Sequence, residues 1–240
     1  MDDTIDHMNA EEVRQQYLTV LGPELGPVCH DLYNQRVWLH VKWHQFLELY
    51  GNTPERLDLL NGAAPVFFRI VHDTLLEDTL LNLTRLTDPA FFRDGDNQTA
   101  RLTLRSLPGR ISEDSIRAEV EELIKAAISA TAFARDWRNR RIAHHDLNLS
   151  LNVNAKPLAP ASRDLISDAL AAVCRPVERV SELYLQQTEV RLNRITETLG
   201  GDAVSLLYVI RDGLEADVKR RQRIRERKFE PDDLKPLAKV

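Results

Sequence analysis

The sequence predicts an all-α protein, an antiparallel helical bundle of four core helices with flanking helices, and three observations carry that expectation. Apolar residues recur at steps of three and four almost throughout the chain, the spacing that lines one face of a helix. Glycine and proline collect between the periodic segments rather than inside them. The one stretch of alternating polarity, Leu149, Leu151 and Val153 within Asn148 to Pro160, could form a short strand but has no evident partner.

Each element follows in order. The segments Val28 to Tyr50 and Pro65 to Leu86 are long, apolar on one side, and free of glycine and proline after their first turns. Breaks precede and separate them at Gly22-Pro23, Gly26-Pro27 and Gly51-Asn52-Thr53-Pro54, and Asp88-Pro89 with the polar run Asp94 to Asn97 follows. From Glu113 to Trp137, Ile116, Val120, Leu123, Ile124, Ala127, Ile128 and Trp137 make one stripe, with Ser112 as the expected N-cap and Glu113 and Asp114 as first-turn acids. A fourth stripe runs Leu165, Ile166, Ala169, Leu170, Val173, Val177, Val180, Leu183 and Tyr184, opening after Pro160 and Ser162, with a kink expected at Pro176. Gly200-Gly201 then sets off Asp202 to Lys228, apolar in its first half and basic in its second. The expected organisation is one domain over residues 1–199 with a C-terminal helical extension, 200–240.

Composition narrows the function classes. The 240 residues are 43% hydrophobic and 29% charged, with 32 Lys and Arg against 37 Asp and Glu for a net charge of −5, which is ordinary for a globular protein. No window reaches the ~18 to 20 apolar residues of a membrane span, and the acidic Asp2, Asp3 and Asp6 do not read as a signal peptide's basic start, so a cytoplasmic protein is expected. Cys29 and Cys174 sit singly among apolar residues, which implies buried reduced thiols. The 9 glycines form neither GxGxxG nor a Walker-type loop, and no cofactor is expected.

One stretch stands apart. Arg135-Asp136-Trp137-Arg138-Asn139-Arg140-Arg141-Ile142-Ala143-His144-His145-Asp146 packs four arginines, two histidines and two acids into twelve residues. Histidine can act as general base and then acid near neutral pH, and arginine presents a donor fork that suits phosphate oxygens. Together they suit metal-free phosphodiester chemistry, in which an RNA 2′-hydroxyl loses its proton to histidine and attacks the adjacent phosphorus. DNA, lacking that hydroxyl, would be immune.

Arg138-Asn139 followed by His144 resembles the arginine, polar residue, four-to-six-residue spacing and histidine of the HEPN (higher eukaryotes and prokaryotes nucleotide-binding) superfamily. With Asp78 to Pro89, which contains Leu83-Thr84-Arg85-Leu86-Thr87-Asp88-Pro89, and Leu102-Thr103-Leu104, the chain is similar to the branch typified by abortive-infection protein U2 over roughly residues 20 to 190. The resemblance implies a homodimer whose two motifs face each other in a composite cleft, a metal-independent endoribonuclease, and a role in phage defence or a toxin-antitoxin system with an antitoxin or defence partner. It assigns Arg138 to the phosphate, Asn139 to positioning the site and His144 to acid/base work. His145 also fits the spacing, and Arg140, Arg141 and Asp146 are further catalytic or substrate-binding candidates. In one unbroken α-helix Arg138 and His144 are turned about 240° apart, so either the helix breaks between them or a partner chain completes the site. The tyrosine that many HEPN toxins carry two positions after the histidine is Asp146 here, against regulation by modification at that residue.

Plainer readings stand beside these. The arginines could pair with Asp136 and Asp146 at a helix end, leaving a non-catalytic module that binds RNA, a nucleotide or a protein partner, or a phosphate-sensing regulator. His72, Asp73, Glu77 and Asp78 read as a polar flank facing water or a dimer partner rather than a metal site. His30, His40 and His44, beside Trp38 and Trp43, read as partly buried amphipathic positions. Lys219, Arg220, Arg221 and Arg223 head a basic run that would be an RNA-gripping arm or a solvated helix end.

Overall fold

The computed structural model describes residues 10–51, 53–95, 97–144, 146–151, 154–184, 202–228 and 230–234. Eight α-helices run in the order α1 (Ala10–Tyr50), α2 (Pro54–Ala63), α3 (Pro65–Thr87), α4 (Asp114–Ala130), α5 (Ala132–Trp137), α6 (Leu147–Leu151), α7 (Arg163–Tyr184) and α8 (Ala203–Arg225) among the described residues. The fold is the all-α bundle the periodicity predicts. Its core lies where α1, α3, α4 and α7 meet, around Leu32, Leu39, Leu80, Leu83, Val120, Ala127, Leu170, Val173 and Val180. Both cysteines belong to this core and form no disulfide, and burial pushes the Cys29 thiol up to about 12.

Several boundaries differ from expectation for local reasons. α1 begins well before Val28, and only Gly22 interrupts it, at φ 77, ψ 178, a conformation that glycine adopts without a Cβ penalty. Gly26-Pro27 does not break it. A Cβ at Gly26 would sit 2.6 Å from the Tyr17 carbonyl oxygen, so close backbone approach after the bend requires that glycine. The predicted single helix from Glu113 to Trp137 is two, α4 ending at buried Thr131, whose hydroxyl bonds back to the Ala127 carbonyl. Glu113, not Ser112, occupies the N-cap of α4. Ser162 does cap α7, its Oγ accepting from the Leu165 N–H at 3.3 Å, and α7 continues through Pro176. The short strand suggested at Leu149 and Leu151 is instead α6, while Val153 and Gly200-Gly201 lie outside the described residues.

A hairpin was not anticipated. Phe91–Asp94 (β1) pairs antiparallel with Asn97–Ala100 (β2), with Gly95 at φ 58 in the turn. The start of α8 docks on the bundle. Ala203 and Leu207 join Leu49, Leu60 and Phe68 in a second apolar cluster, and the Ala203 N–H donates to Gln45 Oε1 at 2.7 Å.

The histidines of α1 and α3 are mostly structural. His72 bonds Asp73 at 2.9 Å and packs one side against Phe46 and Tyr50 while staying partly exposed. Among the described residues no group of three or more His, Cys, Asp or Glu converges as metal ligands would, and no helix is long and apolar enough to cross a membrane. His40 reaches Cys174 Sγ at 3.0 Å beside Arg36 and Glu178, and burial and then Arg36 lower its pKa while Glu178 opposes them. The folded imidazole therefore holds fewer protons than the unfolded one below its ordinary 6.5. His40 accordingly favours the folded state fully above that pH and loses its contribution as pH falls toward the lowered value. Urea midpoints taken from pH 7 to pH 5 are expected to decline less steeply for His40→Gln than for the parent.

Candidate nucleic-acid-cleaving site

The site is built where the end of α3 meets α5. Two successive residues at that end, Thr87 and Asp88, engage arginines one turn apart on the motif helix. Arg135 Nη2 donates to the buried Thr87 hydroxyl at 2.9 Å, and that hydroxyl lies 3.0 Å from Thr131 Oγ1 at the α4–α5 junction. Arg138 Nη1 reaches both Asp88 oxygens, at 2.8 and 2.9 Å, and Arg138 Nε donates to Asn139 Oδ1 at 3.0 Å. Arg101 stands 3.9 Å from the same carboxylate, so Asp88 lies between two guanidinium groups. Among the described residues Arg138 Nη2 has no hydrogen-bond partner, which leaves one edge of the fork for an added anion.

From Arg138 to Ile142 the helix widens into a π turn, closed by the Ala143 N–H on the Arg138 carbonyl at 2.8 Å. The chain then leaves the helix, and His144 follows at an exposed bend. Among the described residues its ring has neither a hydrogen-bond nor an ion-pair partner. Arg138 thus faces the end of α3 while His144 faces solvent, and within one chain no hydrogen bond joins them. His145 lies outside the described residues.

The other candidates separate by what they touch. Arg140 is structural. Its guanidinium is bonded to the Lys156 carbonyl at 2.6 Å and lies 3.5 and 3.4 Å from Asp136 and Asp146, fastening the segment before α7 onto the motif. Asp136 accepts the Ala159 N–H at 2.9 Å and Trp137 Nε1 donates to the Ala159 carbonyl at 2.8 Å, which completes that fastening. Asp146 caps α6. The Leu149 N–H, and then Arg140, hold its carboxyl below the usual carboxylate range. Arg141 is half-exposed, stacks over Trp137 at 5.6 Å, and lies 4.0 Å from Glu77. With Glu77, Ile142, Leu149 and Ser150 it lines a cleft of about 480 Å³ beside the motif.

The basic end of α8 is not an unpaired stripe of cations. Arg220 and Arg221 both bond Asp217, and Arg223 bonds Asp233, whose carboxyl is pushed down to about 2. Lys219 remains exposed. Asp88 and Glu77 are the site-forming residues that the motif alone did not single out. Both precede the motif by about fifty residues or more: Asp88 lies in the Leu83 to Pro89 segment that carries the resemblance and Glu77 in the polar flank, but neither segment's sequence assigns it a role at the site.

A family model described as HEPN_AbiU2 (AbiU2) matches residues 24–203, three quarters of the chain. No curated protein and no solved structure matches it.

Proposed function

Because the chain belongs to the AbiU2 family of HEPN domains, we propose that it is a metal-independent endoribonuclease of the abortive-infection type, acting as a homodimer. The observation that supports this most is that one π turn begins at an arginine anchored on Asp88, Arg138, and is followed at its exit by an exposed imidazole, His144. Neutral His144 takes the proton of a 2′-hydroxyl, and the freed oxygen attacks the adjacent phosphorus. The leaving 5′-oxygen receives a proton, yielding a 2′,3′-cyclic phosphate and a 5′-hydroxyl. Arg138, through its uncommitted Nη2, opposes the charge that builds on the phosphoryl oxygens. Arg141, exposed at the adjacent cleft, is placed to hold a neighbouring phosphate. A second copy would supply the imidazole that protonates the leaving group.

Incubation of wild type and His144→Ala with mixed cellular RNA in EDTA tests this directly. Wild type is expected to leave 2′,3′-cyclic ends, and the variant to cleave about 10²- to 10⁴-fold more slowly with its thermal stability unchanged. Equal cleavage by both would remove His144 from the chemistry. No cleavage by folded, dimeric wild type would favour the second reading, a binding module, to which the tight Asp88 pairing of Arg138 lends support.

A further inference from the structure

Trp38 lies on α1 with 62% of its surface exposed, whereas the other two tryptophans are anchored. Trp43 is buried in a stack on Phe46 at 4.9 Å, and Trp137 is tied to the Ala159 carbonyl. The Trp38 ring borders a cleft of about 290 Å³ between α1 and α3, whose lining includes Asn34, Lys42, Asn82 and Arg85. Lys42 is oriented by Asp78 at 2.8 Å and Arg85 by Asn82 at 3.1 Å, and both cations remain open to solvent.

We propose that this cleft is a base-stacking subsite for single-stranded RNA, in which one base lies on Trp38 and Lys42 and Arg85 meet the flanking phosphates. This rests on the reading that RNA is the ligand. An exposed aromatic face between cations is the arrangement that grips a single strand without reading its sequence, because every base offers a π face. Position supports the same assignment. Arg85 precedes Asp88, the anchor of Arg138, by one turn of α3, about 4.5 Å along the axis at 1.5 Å per residue. A strand seated at Arg138 could thus reach the cleft within a few nucleotides. A second copy of the chain is the less fitting occupant, since five of the seven lining residues are polar or charged and both charged ones are cations. The exposed apolar residues Val66, Phe67 and Ile70 lie at the opposite end of α3.

The test uses the full chain carrying His144→Ala, so that RNA is bound but not cut, with a labelled 12-nucleotide oligoadenylate in EDTA followed by fluorescence anisotropy. Adding Trp38→Ala is expected to weaken binding about 10-fold or more, and Trp38→Phe to restore most of it, with melting temperatures unchanged. Lys42→Ala should flatten the salt dependence of binding. Undiminished binding by Trp38→Ala, or no binding by the parent, overturns the subsite. So does conversion of a dimer to monomers by Trp38→Ala in sedimentation, which would assign the ring to an interface. Trp38-dependent binding without cleavage by wild type would leave the subsite standing and the nuclease reading fallen; cleavage with Trp38-independent binding would do the reverse.

Discussion

Asp88→Ala is expected to slow RNA cleavage about 100-fold while the chain stays folded and continues to bind RNA. The carboxylate holds Arg138 through both oxygens at the C-terminal cap of α3, where Pro89 ends the helix. Without it the guanidinium regains its rotamer freedom and is no longer held where the proposed reaction needs it. A misplacement of about 1 Å can cost a factor of that size. Asp88→Asn, which keeps an accepting oxygen but not the charge, should fall between wild type and alanine. Single-turnover cleavage of a short oligonucleotide, with circular dichroism as the control for folding, decides the matter. An unchanged rate would mean that Arg138 works unaided, and a raised rate would mean that Asp88 competes with phosphate for it.

Glu178→Ala should lower stability by about 1.5–3 kcal/mol, the range for a hydrogen bond to a charged group. Arg36 is almost wholly enclosed, its side chain 2% exposed, with Nη1 on Glu178 Oε1 at 3.1 Å and its guanidinium 4.8 Å from the centre of the Tyr33 ring. Removing the carboxylate deprives a buried charge of that counter-ion. Replacing both partners with apolar side chains, Arg36→Met with Glu178→Leu, should cost far less, because the desolvation penalty disappears along with the pair. Urea unfolding of the three proteins checks the order. A single variant no less stable than the double would show that the pair carries little.

The bundle was legible because helix periodicity is a local signal repeated over many residues. Ile116, Val120, Ile124 and Ala127 are buried as their spacing requires, and so are Ile166, Val173 and Val180. The motif was legible because its residue types are dense and unusual. What escaped notice depended on distance or on competition between signals. The hairpin was announced by Asp94-Gly95, a strong turn signal, but its flanks are too short and polar to alternate convincingly. The split falls at Thr131, which faces Thr87 across the core, a contact forty-four residues apart in sequence. The sorting of Arg138, Arg140 and Arg141 into anchored, fastening and open roles follows from Asp88, Lys156 and Glu77, and spacing within the motif says nothing of them.

The π turn bears on how such a motif can change length over evolutionary time. Its closing bond encloses one residue more than an α-helical bond would, so the extra residue bulges outward while Arg138 and Ala143 stay bonded. Deleting one residue between them would convert that bond from i→i+5 to i→i+4, an ordinary α-turn, without unfastening either end. Insertions and deletions that would shift every following side chain in a regular helix can thus be absorbed here as a change of turn type. A signature with a variable count between its arginine and its histidine is what such a turn permits.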